Sequence, residues 1–256
     1  MQLADLSWPA LDALSRELPV IIPIAAVEQH GHHLPLATDS LLLQEVVKRV
    51  ETTMPSTVLV TPLMWLGNSH HHLDFPGTLS AEPRVYLDLV SGMIDNVLQH
   101  GFRRLLLLNG HGGNDTPGKQ AAFEVRQRYR SRRDLLLLFS TYWSAGPAPN
   151  AGDDPSCPAL VQSDMGHACE WETSMMLRIA PHLVGDYLAA EDVAPGNPFR
   201  PASRAWITKD RSELGHIGAP AAATSEKGEY LLAHFSRHVQ ALLTRMLQWD
   251  GTSWEG

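Results

Sequence analysis

Positions 28 to 39 read Glu-Gln-His-Gly-His-His-Leu-Pro-Leu-Ala-Thr-Asp, so Glu28, His30 and Asp39, three side chains able to hold a divalent cation, fall within twelve residues. A carboxylate beside an imidazole is the donor mix that a borderline ion such as Zn²⁺ accepts. The near-continuous apolar, β-branched run over 20–27 comes directly before them, as a buried parallel strand would. Ligands collect where such a strand ends and its loop begins. Alternation along the strand points Glu28 and His30 the same way, and Asp39 can return to the same point. With one more histidine and one more acid, the set suits two ions bridged by a carboxylate and a hydroxide.

The histidine is offered by Asn109-Gly110-His111-Gly112-Gly113-Asn114, which follows the run Leu105-Leu106-Leu107-Leu108. A leucine strand running into Gly-His-Gly-Gly sets an imidazole at the strand's carboxyl end, on a backbone that glycine allows to turn tightly. Neither a phosphate loop nor a dinucleotide fingerprint fits that spacing. The acid is offered by Asp164-Met165-Gly166-His167-Ala168-Cys169-Glu170-Trp171-Glu172-Thr173-Ser174. On a helix starting near His167, residues three and four apart share a face, so His167, Glu170 and Ser174 align while Glu172 turns roughly 200° from Glu170. Glu170 is therefore the expected ligand, with Glu172 supporting the site through hydrogen bonds. His167 stands beside the metals as a proton donor, and Asp164 orients it or binds a substrate N–H.

Apolar runs over 20–27, 57–64, 104–109 and 135–141 predict strands, and they alternate with helical patterns over 9–18, 40–53, 83–100 and 116–129. That alternation predicts an α/β fold with a mostly parallel sheet between helices. Two further helices are expected over 170–179 and 226–247. Between them the stretch from 192 to 223, rich in proline, glycine and small residues, reads as a long ordered loop or an arm at a subunit contact. The 256 residues suit one domain, and 44% hydrophobic with 19% charged residues excludes a disordered chain. A net charge of −8, with no Lys or Arg run beyond a pair, excludes a nucleic-acid footprint. Two cysteines do not make a disulfide scaffold, and the start of the chain carries no signal-like or membrane-spanning pattern. A cytoplasmic protein, with no membrane partner, is the expectation.

Taken together, these motifs resemble the creatininase (creatinine amidohydrolase) family of metal-dependent hydrolases. Glu-Gln-His-Gly, His-Leu-Pro and Thr-Asp stand at 28–39, Asn-Gly-His-Gly-Gly-Asn at 109–114, and His-Ala-x-Glu-x-Glu-Thr-Ser at 167–174. The segment from Gly67 to Thr78, with Ser69, His72 and Phe75-Pro76-Gly77, is similar to a fourth element of the family. The resemblance implies a three-layer α-β-α sandwich, two divalent ions (Zn²⁺, Mn²⁺ or, by similarity, Fe²⁺) and a homo-oligomer, commonly a hexamer. It implies Glu28, His30, Asp39 and His111 as metal ligands, Asp39 as the bridge and His167 as the catalytic histidine. Ser69, His72 and Trp143 fall where substrate contacts lie. One departure stands out: creatinine hydrolases carry an acidic ligand two residues after the His of Asn-Gly-His, where this chain has Gly113. Glu170 is expected to fill that role.

The expected reaction is hydrolysis of a small cyclic or linear amide. The resemblance also covers formamide deformylases, a peptidase of a modified peptide and hydrolases of carbohydrate-derived carbonyl compounds. A catalytically silent metal-binding protein is the non-enzymatic alternative, which retention of His167 beside the ligands argues against.

Overall fold

The computed structural model describes residues 1–150, 152 and 154–254. Its strands are β1 (Pro19–Ile24), β2 (Leu59–Val60), β3 (Arg104–Asn109) and β4 (Leu136–Thr141). Its helices are α1 (Trp8–Asp12), α2 (Thr38–Thr53), α3 (Pro83–Gln99), α4 (Asp115–Arg128), α5 (Glu170–Ile179) and α6 (Ser225–Gln248). The strands form one parallel sheet in the order β2-β1-β3-β4. Successive strand residues point to opposite faces, which divides the core in two. Ile21, Leu106 and Leu108 pack with α2, α5 and α6, whereas Val20, Ile22, Leu105 and Leu107 pack with α3 and α4. The result is the expected three-layer α/β sandwich.

Strand order also locates the site. The chain leaves β1 toward β2 on one side and comes back to β3 on the other, and crossovers of one hand running in opposite directions put helices on opposite faces. The carboxyl ends of β1 and β3 therefore flank a crevice at a switch in strand order, the usual position for a ligand in such sheets. Their register pairs Ile24 with Asn109, which sets the residues following each strand side by side.

The first strand ends at Ile24, three residues before the end of its apolar run, and two further elements are markedly shorter than their sequence pattern. The 57–64 run is laddered only at β2, because Pro62 has no N–H to donate; pairing resumes at Met64, whose N–H donates to the Pro23 carbonyl. The 9–18 pattern yields only the five residues of α1, beyond which Arg16 donates to the Leu11 and Leu14 carbonyls. The stretch from 192 to 223 is an ordered loop tied down by backbone pairing of Val193 with Gly218 and of Ile217 with His167. Among the described residues no helix is long and apolar enough to cross a membrane.

Helix α5 carries the last of the site's acids, and its position depends on close contact with α6. A Cβ built at Gly228 would stand 2.0 Å from the Ser174 carbonyl oxygen, so the helices touch backbone to backbone there. Arg49 of α2 adds a bidentate ion pair to Glu229 of α6, at 2.8 and 2.9 Å. Gly228→Ala is expected to force α5 and α6 apart at a cost of about 1–3 kcal/mol. Urea unfolding should show this as a lower midpoint at unchanged slope.

Candidate metal centre

Each acid of the centre is delivered by a different local device. After β1 the chain doubles back, with Glu28 N–H donating to the Leu36 carbonyl at 2.9 Å, so Asp39 in the first turn of α2 returns beside His30. Asn109 shapes the following turn: its Oδ1 accepts from the His111 N–H at 3.0 Å and its Nδ2 donates to the His111 carbonyl at 2.7 Å. Asn114 ties this loop to its neighbours, donating to the Ala25 carbonyl and accepting from the Asn68 N–H. Both asparagines of the Asn-Gly-His-Gly-Gly-Asn motif thus serve geometry.

The result is two groups of ligands joined by one carboxylate. Asp39 Oδ1 lies 3.3 Å from His30 Nε2, and Asp39 Oδ2 lies 3.0 Å from His111 Nδ1. Glu28 Oε1 stands 3.3 Å from His111 Nδ1 and Glu172 Oε1 stands 3.6 Å from His30 Nε2. Glu28, His30 and Asp39 place ligand atoms within reach of one ion, as do His30, His167 and Glu172, and Glu28, His71 and His111. The outer nitrogens are held as metal-binding imidazoles require, with His30 Nδ1 facing the Glu28 carbonyl at 3.1 Å and His111 Nε2 the Asn68 carbonyl at 3.1 Å.

These residues fit a cation. Glu28 Oε2, His30 Nε2 and Asp39 Oδ2 are buried with no hydrogen bond, although His30 and Asp39 stand within ion-pair distance of each other. Their lone pairs converge on common space without the alignment of hydrogen bonds. Burial disfavours charge on His30, yet Asp39 and then Glu172 raise its pKa well above the usual value. Burial likewise opposes His111, which Glu28 and Asp39 carry up to about 10. At two neighbours burial outweighs the carboxylates: His167 falls to about 3, with His30 adding repulsion against the pull of Glu172 and Asp39, and His71 falls to about 4 in spite of Glu28. Carboxylates that retain positive charge on buried imidazoles provide the field a divalent ion needs.

Of the expected ligands, Glu28, His30, Asp39 and His111 come together and Glu170 does not. The Glu170 carboxylate is buried behind α5, 2.6 Å from Lys227 Nζ and accepting from the N–H groups of Val161 and Gln162. Helix phase explains the difference. His167 is in an extended backbone pair with Ile217, Ala168 has φ +48°, and α5 begins only at Glu170. A helical wheel drawn from His167 therefore rotates the two acids to the wrong sides. Glu172 is the third residue of α5: its Oε2 accepts from the Cys169 N–H at 3.3 Å, leaving Oε1 directed at His30 Nε2. The Cys169-x-x-Glu172 spacing, read as a helix cap, was the signal for it.

The candidate substrate residues divide as well. His72 and Trp143 line a cavity of about 950 Å³ that opens onto the ligands, as do His71, Gly113, Met165, His167 and Trp206. Ser69 is fully buried behind His111, its hydroxyl 3.2 Å from His111 Nε2. Asp164 is exposed and bonded to Ser163, outside the cavity. His33 is structural, with Nε2 close to the Ala168 carbonyl and the Thr173 hydroxyl. Burial pushes the Cys169 thiol up to about 12, which rules it out as a nucleophile.

A family model, creatininase (creatinine amidohydrolase), matches residues 4–243. The chain is 29% identical to creatinine amidohydrolase of Pseudomonas putida over 239 residues, covering 89% of this chain and 90% of that protein. It is 31% identical over 258 residues to mycofactocin precursor peptide peptidase of Mycobacterium ulcerans, covering 95% and 86% respectively. A crystal structure of creatinine amidohydrolase superposes with a TM-score of 0.82 at 25% identity, over 97% of this chain and 98% of that one. Other solved creatininases of this fold include a Zn–Zn form and an Mn form.

Glu172→Ala and Glu170→Ala are expected to behave oppositely. The first should lose one metal equivalent while remaining folded; the second should retain its metals and melt earlier, because Lys227 loses its partner. Asp39→Ala should lose both ions. Elemental analysis with thermal unfolding of each variant checks this.

Proposed function

This chain belongs to the creatininase family of hydrolases, and from that premise we propose that it cleaves a C–N bond of a small cyclic or linear amide at a centre of two divalent ions. The observation that carries this reading is Asp39, whose two oxygens face His30 and His111 separately, as a bridging carboxylate would. Glu28 and His111 would hold one ion, and His30 and Glu172 the other. Zn²⁺ and Mn²⁺ both accept this imidazole and carboxylate set, and Fe²⁺ does also. Bound there, such ions supply an acidified water and a Lewis acid for the scissile carbonyl.

The chain's own groups do the rest. His167 Nε2 lies 2.8 Å from the Gln29 carbonyl, to which its N–H donates, so Nδ1 is left with a lone pair directed at the cluster, 3.6 Å from Glu28. A proton taken up at Nδ1 from the attacking water can be passed to the departing nitrogen, which would otherwise leave as an amide anion. Gln29 fixes this arrangement, its Nε2 lying 2.6 Å from His72 Nδ1 and donating to the Gly215 carbonyl at 2.8 Å. Trp143, Met165 and Ile217 wall the cavity beside His167. A second reading, a peptidase acting on a peptide substrate, has in its favour the size of the cavity and the length of the match to a peptide peptidase.

The whole chain is read as one hydrolase domain, working in the cytoplasm as a homo-oligomer and by family likeness a hexamer. The 192–223 loop supports the assembly: Phe199, Ile207 and Leu214 leave 62%, 45% and 40% of their surface exposed. Light scattering at micromolar concentration should give a mass several times 28.2 kDa; a monomer contradicts it.

His167→Ala is expected to leave metal content near normal and to lower kcat by roughly 10²–10⁴, the range for loss of one proton-transfer group. Turnover of amide substrates and metal content, measured on the same preparation, decide it. An emptied metal site would make His167 a ligand.

A further inference from the structure

The cavity lining carries three arginines that neither metal binding nor proton transfer employs. Arg84, Arg204 and Arg211 all line it, and among the described residues none of these guanidinium groups forms an ion pair. Arg211 is the most enclosed of the three. Its guanidinium lies over the Trp206 ring, 4.4 Å from the centroid, and Trp206 in turn meets His71 edge-on at 5.0 Å. His71 stacks on His111 at 5.8 Å, so a single tryptophan separates Arg211 from the layer of rings facing the metals.

This placement is held firmly. Thr208, buried one turn before Arg211, donates its hydroxyl to the His71 carbonyl at 2.7 Å, and the Arg211 N–H donates to the Thr208 carbonyl at 2.9 Å. The segment is thereby hooked to the His70–His72 turn that forms the cavity wall. Partial burial of Arg211 lowers its pKa, a cost that no carboxylate offsets among the described residues. Of the four acids lining the cavity, Glu28, Asp39 and Glu172 face the metals. Glu82 caps α3, accepting from the Arg84 and Val85 N–H groups. These guanidinium groups are thus available to an incoming anion, in a chain whose net charge is −8.

We propose that Arg211, with Arg204 and Arg84, forms an anion subsite, and that the substrate is an amide bearing a carboxylate or phosphate across the cavity from its scissile bond. This rests on the metal centre being the reacting end. A planar guanidinium receives either anion through paired hydrogen bonds, and stacking on Trp206 pre-orients it for that. The subsite would align the amide by its charged end, and neutral amides of the same size would bind without register.

Calorimetric binding of three matched probes to the metal-loaded protein tests this: N-acetyl-alanylalanine, its C-terminal carboxamide, and the analogue with a phosphonate in place of the carboxylate. At least one anionic probe should bind roughly ten- to a hundredfold more tightly than the carboxamide, the range for hydrogen bonds to charged groups. Whichever anion wins identifies the source. Arg211→Gln should remove most of that preference, Arg211→Lys should retain part of it, and Arg245→Gln, on a different surface, should leave it intact. If Arg211→Gln fails to fold, the exposed Arg204→Gln should still weaken the preference. A preference that survives both glutamine variants means the metals take the anion, and equal binding of all three probes means there is no subsite; either overturns the proposal. Hydrolysis of the probes is followed in parallel. No turnover with the charge preference intact removes the amidase reading and leaves the subsite, whereas turnover indifferent to charge does the reverse.

Discussion

Three carboxylates buried together are the constraint on which this structure depends. Glu28, Asp39 and Glu172 are each 4% exposed or less, and among the described residues their ion-pair partners are all imidazoles. Carboxylates taken out of water repel one another and lose hydration, a state a fold tolerates only when positive charge returns. Imidazoles that remain protonated well above their usual range supply some of it, and divalent ions would supply it more completely. The register of β1 on β3, the doubled-back loop to Asp39 and the cap at Cys169 each bring one part of the set into place.

Much of this architecture was legible in the sequence because it depends on local rules. The apolar run over 104–109 and the helical pattern over 170–179 coincide with the observed strand and helix, and Glu28, His30, Asp39 and His111 group together in the sequence because strand ends collect ligands. What escaped depended on contacts distant in sequence. Whether Glu170 or Glu172 faces the centre is decided by where α5 starts, and that start is set by backbone pairing of His167 with Ile217, fifty residues onward. Ser69 lies in the segment that the family resemblance marks, but its hydroxyl turns behind His111. The arginines of the 192–223 loop carry no periodic signal, and only the docking of Thr208 on the His71 carbonyl discloses which wall they join.

Gly113 connects the catalytic end to the rest of the cavity. A Cβ there would lie 2.2 Å from the Asn68 carbonyl and 2.4 Å from His111 Nε2, so this loop has no room for the acidic side chain that the family resemblance leads one to expect at the position. The carboxylate of Glu172 from α5 instead stands 3.6 Å from His30 Nε2. Beside Gly113 the cavity is flanked by His71 and Trp206.

The most direct test of the central claim is anomalous diffraction, at the zinc and manganese edges, from crystals of the purified protein. The account predicts two peaks, one bounded by Glu28 and His111 and one by His30 and Glu172, with Asp39 between them. A peak beside Glu170 and Lys227, or no peak among the five clustered residues in an active preparation, would contradict it.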